Sequence, residues 1–306
     1  MRIVFAGTPI NAARTLEALA SAGHTVVGAL TRADAAAGRS ASAMQSPVAE
    51  AASSLGVPVL KSNVVDAQVL DWISGLRPDL GVIVAYGCIL RSEALSIPSH
   101  GWINLHYSLL PKYPGASPVQ HALLHGESQT GVTVFKLDEG VDTGPVLSAQ
   151  RIEISPDENA GELLERLTEI GSNLLCQTLS DFDNQYSTRR PQELDSATAV
   201  TRKISRAMAR LDFGVSPQEF VNKVRAMNPE PVAWFEYDSV PVRVLEATVG
   251  SSGDLDEGVA KLVGPELQVG CSNGSVFLRT LQPAGKKQMA GADWFRGLRK
   301  DSLLLS

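Results

Sequence analysis

The first half of the chain alternates short apolar runs with stretches of helical periodicity. RIVFAG closes on Gly7, and NAARTLEALASAG follows with apolar residues three or four apart and ends at Gly23. A brief apolar run predicts a strand and a 3.6-residue period predicts a helix. TVVGALT, PVLK, LGVIVAY and WINLHY repeat the first kind; MQSPVAEAASSLG and DAQVLDWISGL repeat the second. MQSPVAEAASSLG carries its own punctuation, with Ser46 as N-cap, Pro47 at the first helical position and Gly56 beyond the end. LGVIVAY is apolar throughout instead of alternating, as befits a strand covered on both faces. The rhythm predicts an α/β chain with a parallel, doubly wound sheet. Such sheets bind ligands outside the carboxyl ends of their strands. Gly7, Tyr86 and His106 all stand at predicted carboxyl ends.

The second half differs. TGVTVFKLD and PVLSAQRIEI are two strand candidates joined by EGVDTG, and AGELLERLTEIGSNLLCQTLSDF is a long helix. DNQYSTRRPQELDSATAVTRKISRAMARLD is polar and poor in large apolar residues, which predicts a linker. A helix, SPQEFVNKVRAMNP, then opens a region of short strands with Gly and Asn-Gly turns, the pattern of a small β-barrel. The expected organisation is a Rossmann-like domain over 1–184, a linker over 185–203 and a C-terminal barrel over 204–306.

Composition narrows the classes. The 306 residues are 44% hydrophobic and 20% charged, an ordinary globular balance. No apolar run is long enough for a membrane span, and the N-terminus reads as a first strand in place of a signal peptide. Three cysteines, Cys88, Cys176 and Cys271, form no close pair, which fits a reducing cytoplasm better than a disulfide framework or zinc ribbon. The net charge of −6 argues against a surface that grips nucleic acid everywhere. Residues 205–306 carry 12 Lys+Arg and 12 Asp+Glu, so the acidic excess lies earlier and a local basic patch is open to the C-terminal third.

WINLHY contains more polarity than a strand exit needs. Alternate side chains share a face, so Ile103 and Leu105 face one layer while Asn104 and His106 lie side by side on the other. Such a pair either satisfies loop backbone or acts on a ligand. SLLPKYPG follows at once, and DEGVDTGPVL begins at Asp138. In this order the segments resemble the 10-formyltetrahydrofolate-dependent formyltransferase family. Its signature is Asn-x-His on a strand, an adjacent SLLP loop, and an Asp within D-x-G-x-D-T-G. The resemblance spans nearly the whole chain. RIVFAGTP opens it, VIVAYGCIL matches the folate-pocket strand, and VRAMNPEP, AWFE and LQPAGKK match the members that act on methionyl-initiator-tRNA.

The resemblance implies a cytoplasmic, monomeric enzyme that passes a formyl group from 10-formyltetrahydrofolate to the α-amine of methionyl-initiator-tRNA for translation initiation. The folate is consumed as donor and no metal is needed. Asn104, His106 and Asp142 are the implied catalytic residues. Ser108, Leu109, Leu110 and Pro111 border the folate, and an oligonucleotide-binding-type (OB-like) barrel helps to hold the tRNA. The chemistry suits the residue types. An Asn amide stabilises an oxyanion without titrating, imidazoles relay protons near neutrality, and a carboxylate orients the ring. Other acceptors share this residue set: an amine on a nucleotide or amino sugar, or water in a formyltetrahydrofolate hydrolase. The first of these leaves LQPAGKK and the barrel without a purpose. A binding protein without catalysis is the reading from another class, against which the intact set stands.

Remaining motifs carry alternatives. AGTP (Ala6 to Pro9) is either strand-to-helix punctuation or a phosphate contact at a helix start, and it lacks the G-x-G-x-x-G fingerprint. Ile10 and Asn11 follow where the family usually has an acidic residue and Phe. Lys286 and Lys287 fit a phosphate contact or a solvated turn. His121 and His125 have i, i+4 spacing but no third ligand, so no metal site is assigned. Thr31 to Pro47 resembles the family's inserted loop that reaches the tRNA acceptor stem, with only Arg32 and Arg39 as basic residues. Arg39, in AGR, takes the place of the family's tRNA-contacting arginine. If it neutralises one phosphate, Arg39→Ala is expected to reduce the slope of log K against log salt for tRNA binding by about 0.7–0.9, measured by filter binding across a salt series.

Overall fold

The computed structural model describes residues 1–36, 43–250 and 255–305. Two compact units result: the first comprises 1–115, 131–152 and 164–200, the second 116–130, 153–163 and 201–306.

The first unit is built on β1 (Arg2–Gly7), β2 (Thr25–Thr31), β5 (Val59–Lys61), β6 (Leu80–Val84), β7 (Trp102–His106), β8 (Gln129–Lys136) and β9 (Val146–Glu153), with a small pair, β3 (Ala35–Ala36) and β4 (Ala43–Met44), apart from the main sheet. The sheet order is β5-β2-β1-β6-β7-β8-β9. β5, β2, β1, β6 and β7 are mutually parallel, and β8 runs antiparallel to β7. The expected doubly wound parallel sheet is thus present, extended by an antiparallel strand. The chain winds from β1 towards β5, then returns to the other side of β1 through β6. That reversal opens a crevice at the carboxyl ends of β1 and β6. Thr8 spans it, its hydroxyl donating to the Tyr86 carbonyl at 2.9 Å.

The helices form where the sequence punctuates them. Ser46 accepts from the Ala49 amide at 3.1 Å and caps the helix Pro47–Ser54. Asp66 caps Ala67–Leu76 in the same way at 3.2 Å. β6 is buried at every position, which explains its unbroken apolar run. Within it Gly81 sits opposite Trp102 of β7. A Cβ on Gly81 would lie 2.1 Å from the fully buried Trp102 ring, so only glycine lets the indole cross the sheet there. The indole is fixed by its N–H, which donates to the Ala94 carbonyl at 2.8 Å.

The second unit carries β10 (Ala233–Tyr237), β11 (Val240–Val249), β12 (Val259–Val263), β13 (Glu266–Cys271), β14 (Gly274–Pro283), β15 (Met289–Ala290) and β16 (Leu303–Leu304). They form one antiparallel sheet in the order β10-β11-β14-β13-β12-β16, with β15 against β14. Register shifts around Glu246 bend β11 against β14, giving the curled, barrel-type sheet expected. The helix Pro217–Met227 begins with a capping box between Ser216 and Glu219. Phe213, Phe220, Phe235 and Trp294 interlock in its core at ring separations of 5.3 to 5.9 Å. Cys271 is buried there, and burial pushes its thiol up to about 12. It is a packing residue, since the thiolate is the reactive form.

Gly81→Ala is expected to destabilise the first unit by about 1–3 kcal/mol through overpacking against Trp102. Urea unfolding followed by tryptophan fluorescence measures this, and an unchanged midpoint would count against the crossing described.

Candidate active site

β7 places Asn104 opposite Phe135 and His106 opposite Thr133 of β8. The two side chains share one face by strand alternation. His106 is 6% exposed, and its ring meets Phe135 edge-on at 6.4 Å. Its Nε2 lies 2.9 Å from the Tyr113 carbonyl oxygen. A carbonyl only accepts, so Nε2 carries the hydrogen. Nδ1 faces the Asp142 carboxylate at 3.6 Å, close enough for an ion pair with a protonated ring but too long for a good hydrogen bond. The imidazole therefore does satisfy loop backbone, and it does so while lying against a carboxylate. Asn104 differs: its carboxamide oxygen is buried with no hydrogen-bond partner. Buried side-chain polar atoms are nearly always paired, and an unpaired one needs an explanation beyond packing.

The loop after β7 is tightly tied. Ser108 is fully buried, and its hydroxyl donates to the Lys112 carbonyl at 2.6 Å. Thr133, directly across from His106, donates to the Ser108 carbonyl at 2.7 Å and accepts from the Leu110 amide at 3.2 Å. Leu109, Leu110 and Pro111 are half-buried and form the less enclosed part of the loop. Leu109 also presses on Gly131, where an added Cβ would sit 2.6 Å from the leucine. Of the four residues expected to border a folate, Ser108 is thus engaged within the loop itself, and the three that follow are open on one side.

Asp142 comes from the turn between β8 and β9. Its backbone adopts φ 55°, in the left-handed region. Its carboxylate accepts from the Gly115 amide at 2.7 Å, which fixes the oxygen that faces His106. Asp138 ties the same turn, accepting from the Gly140 amide at 3.0 Å and the Thr143 hydroxyl at 2.8 Å. Gly144 allows the turn to lie on β8, since a Cβ there would overlap the Lys136 carbonyl at 1.8 Å. Asn104, His106 and Asp142 are therefore gathered by two loops and one strand. Sequence reasoning did not find Thr133, Tyr113 and Gly115, whose contributions are a hydroxyl or a backbone group.

Flanking positions are more ordinary. Tyr86 is buried, and its hydroxyl donates to the Ser62 carbonyl at 3.4 Å. Burial, reinforced by Cys88, pushes its phenol well above the usual range. Tyr107 points into the opposite layer, where burial raises its phenol. Asn11, Thr168 and Thr15 partly offset that rise, yet none of them reaches the hydroxyl in hydrogen-bond geometry. Ile10 is 58% exposed, while Asn11 is buried. His121 and His125 stack at 6.3 Å, and both are bonded to carbonyls, of Arg202 and His121 respectively. Lys286 and Lys287 are exposed. Arg39 lies outside the described residues. Among the described residues no group of three or more His, Cys, Asp or Glu is placed to hold a metal ion, and no helix is long and apolar enough to cross a membrane.

Residues 1–179 match the Formyl transferase family profile, and residues 203–299 match the profile of the Formyl transferase C-terminal domain. A methionyl-tRNA formyltransferase of Arthrobacter sp. (strain FB24) is 42% identical over 298 residues, 97% of each chain. The protein of the same name from Clavibacter michiganensis subsp. michiganensis is 41% identical over 299 residues, again 97% of each. In fold, the chain resembles an N-formyltransferase from Helicobacter canadensis solved with folinic acid and dTDP-3-aminofucose, with TM-score 0.67 and 16% identity over 92% of this chain and 98% of that one. A match to both profiles, and to full-length relatives at such identity, makes this chain a member of the formyl transferase family.

Proposed function

We propose that the chain transfers the formyl group of 10-formyltetrahydrofolate to the α-amino group of methionyl-initiator-tRNA, yielding N-formylmethionyl-tRNA. One observation carries the chemical part: an imidazole lies against a carboxylate on the strand face that also bears Asn104, whose carboxamide oxygen is buried without a partner. The likeness to methionyl-tRNA formyltransferases, 41–42% identical over 97% of the chain, supports a tRNA acceptor over a nucleotide or sugar amine. The proposed division of labour is catalysis in 1–184, a linker over 185–203 and tRNA holding by 204–306, with Arg39 on the acceptor stem. The proposed setting is the cytoplasm, where the protein acts as a monomer.

The amine nitrogen attacks the formyl carbon, and the carbonyl oxygen becomes an oxyanion. Asn104 donates its amide N–H to that oxygen, a bond that strengthens as charge develops. The new C–N bond forms, the bond from carbon to folate N10 breaks, and one proton moves from the amine to N10. His106 and Asp142 handle that proton. Nε2 is held by the Tyr113 carbonyl, so Nδ1, facing the carboxylate, is the nitrogen that exchanges it, directly or through a water. Leu109, Leu110 and Pro111 offer an apolar edge to the pterin, and Ser108 holds that edge in shape.

The test is transfer of labelled formyl from the folate to charged initiator tRNA, run beside a control without acceptor. Label is expected on the tRNA and little formate in the control. Formate release without acceptor would instead favour the hydrolase. Asn104→Ala and His106→Ala are each expected to lower kcat by about 10²–10³-fold or more, the usual effect of removing an oxyanion donor. Near-normal turnover of either purified variant would overturn the assignment of the pair.

A further inference from the structure

We propose that the polar segment 189–200 is a strap that sets the geometry around His106, and that Gln192 is a positioning residue for Asp142. This rests on the reading of Asp142 given above. The strap starts with a reciprocal backbone bridge, Arg190 and Val146 exchanging N–H···O bonds of 2.8 Å each. Gln192 then donates through Nε2 to two carbonyls of the Asp142 turn, that of Asp142 itself at 2.8 Å and that of Gly144 at 2.7 Å. Six residues on, the hydroxyl of Thr198 accepts from the Tyr113 amide at 2.6 Å.

These anchors are not random points on the surface. Asp142 and Tyr113 are the two residues that face the ring nitrogens of the imidazole, one at each. Asp142 and Tyr113 also both hold left-handed backbone, at φ 55° and 57°, a conformation that a residue with a Cβ adopts only when its surroundings enforce it. From 190 to 200 every residue is exposed except Gln192 and Thr198. The strap therefore reaches inward with two side chains, and each fastens one neighbour of His106. Gln192 does so with its own Oε1 buried and unpaired. An unmatched buried acceptor is unfavourable, so the site gains nothing from a glutamine except the paired donation to the turn.

A shift of the Asp142 turn by an ångström would misplace the carboxylate relative to Nδ1, an error of the size that costs about 100-fold in rate. The experiment is steady-state formylation of charged initiator tRNA by the full chain, Gln192→Leu, Asp142→Asn and the double variant. Thermal melting and binding of 5-formyltetrahydrofolate serve as checks on folding. Gln192→Leu is expected to lower kcat about 10- to 100-fold, with both KM values within about twofold of the parent. In the Asp142→Asn background the same substitution is expected to cost under about threefold, because residues acting through one another are not additive. An equal loss in both backgrounds, a loss carried by KM, or full activity would overturn the proposal. If Asp142→Asn itself is fully active, the reading of Asp142 fails, and the strap's role falls with it; an impaired Asp142→Asn with additive behaviour sinks the strap alone. Should Gln192→Leu not fold, Thr198→Val tests the other anchor: its kcat loss is expected to vanish in His106→Asn, and its persistence there would overturn the strap.

Discussion

The imidazole of His106 is restrained at both ring nitrogens, by a carbonyl on one side and a carboxylate on the other, and the surrounding loops are arranged to keep those two oxygens where they are. β7 supplies the ring through its register with β6 and β8. Tyr113 reaches Nε2 because the loop after β7 is stitched by Ser108 and Thr133. Asp142 reaches Nδ1 because its turn, bound to Gly115 through the carboxylate, folds back over the face of the sheet that bears Asn104 and His106. Almost all of this tying uses hydrogen bonds between side chains and backbone. Such bonds are directional, so they fix atoms more sharply than apolar packing does, which suits a reaction whose proton must travel a defined path.

Much of this was legible in the sequence, and the parts that were not share a cause. Strands such as LGVIVAY announce themselves because burial on both faces removes polar residues, and the Ser46–Pro47 helix start because capping needs particular atoms. Asn104 and His106 are placed on one face by a period of two alone. The Asp142 approach follows only from motif order, since Asp142 stands on the turn between β8 and β9, whose path no local pattern dictates. The antiparallel direction of β8 was not foreseen either, because strand direction is set by pairing and not by composition. Gln192 was hidden most thoroughly. A segment that fastens itself by two polar side chains to backbone carries no apolar signature, and its composition is that of a linker. Its partner carbonyl at Asp142 lies 50 residues earlier in the chain.

The second unit obeys a different economy. Its core packs Phe213, Phe220, Phe235 and Trp294 against one another among buried aliphatic residues, and its turns fall where Asn273, Asp238 and Ser239 accept positive φ. Over residues 205–306 the charges balance, and two arginines gather locally: Arg206 and Arg210 both lie over the Trp234 ring, at 5.6 and 5.9 Å. Guanidinium groups held against an indole by cation–π contact stay weakly hydrated and available to phosphate.

The two ring contacts of His106 also differ in kind, and the difference assigns their work in the proposed transfer. A carbonyl cannot take a proton, so the Tyr113 bond at Nε2 fixes tautomer and tilt and remains unchanged through a turnover. A carboxylate can respond to charge, so the Nδ1 side is where a proton arriving from the amine finds a compensating partner. The 3.6 Å gap there is longer than a hydrogen bond, and catalytic contacts commonly tighten only when substrate is bound. Asn104 completes the division: a group that cannot titrate lies beside one that can, so the oxyanion keeps a donor in every protonation state of the ring. Moving the proton and stabilising the charge are thereby separated between neighbouring side chains of one strand, and the strap's anchors fall on the half of that pair whose geometry must survive the proton's passage.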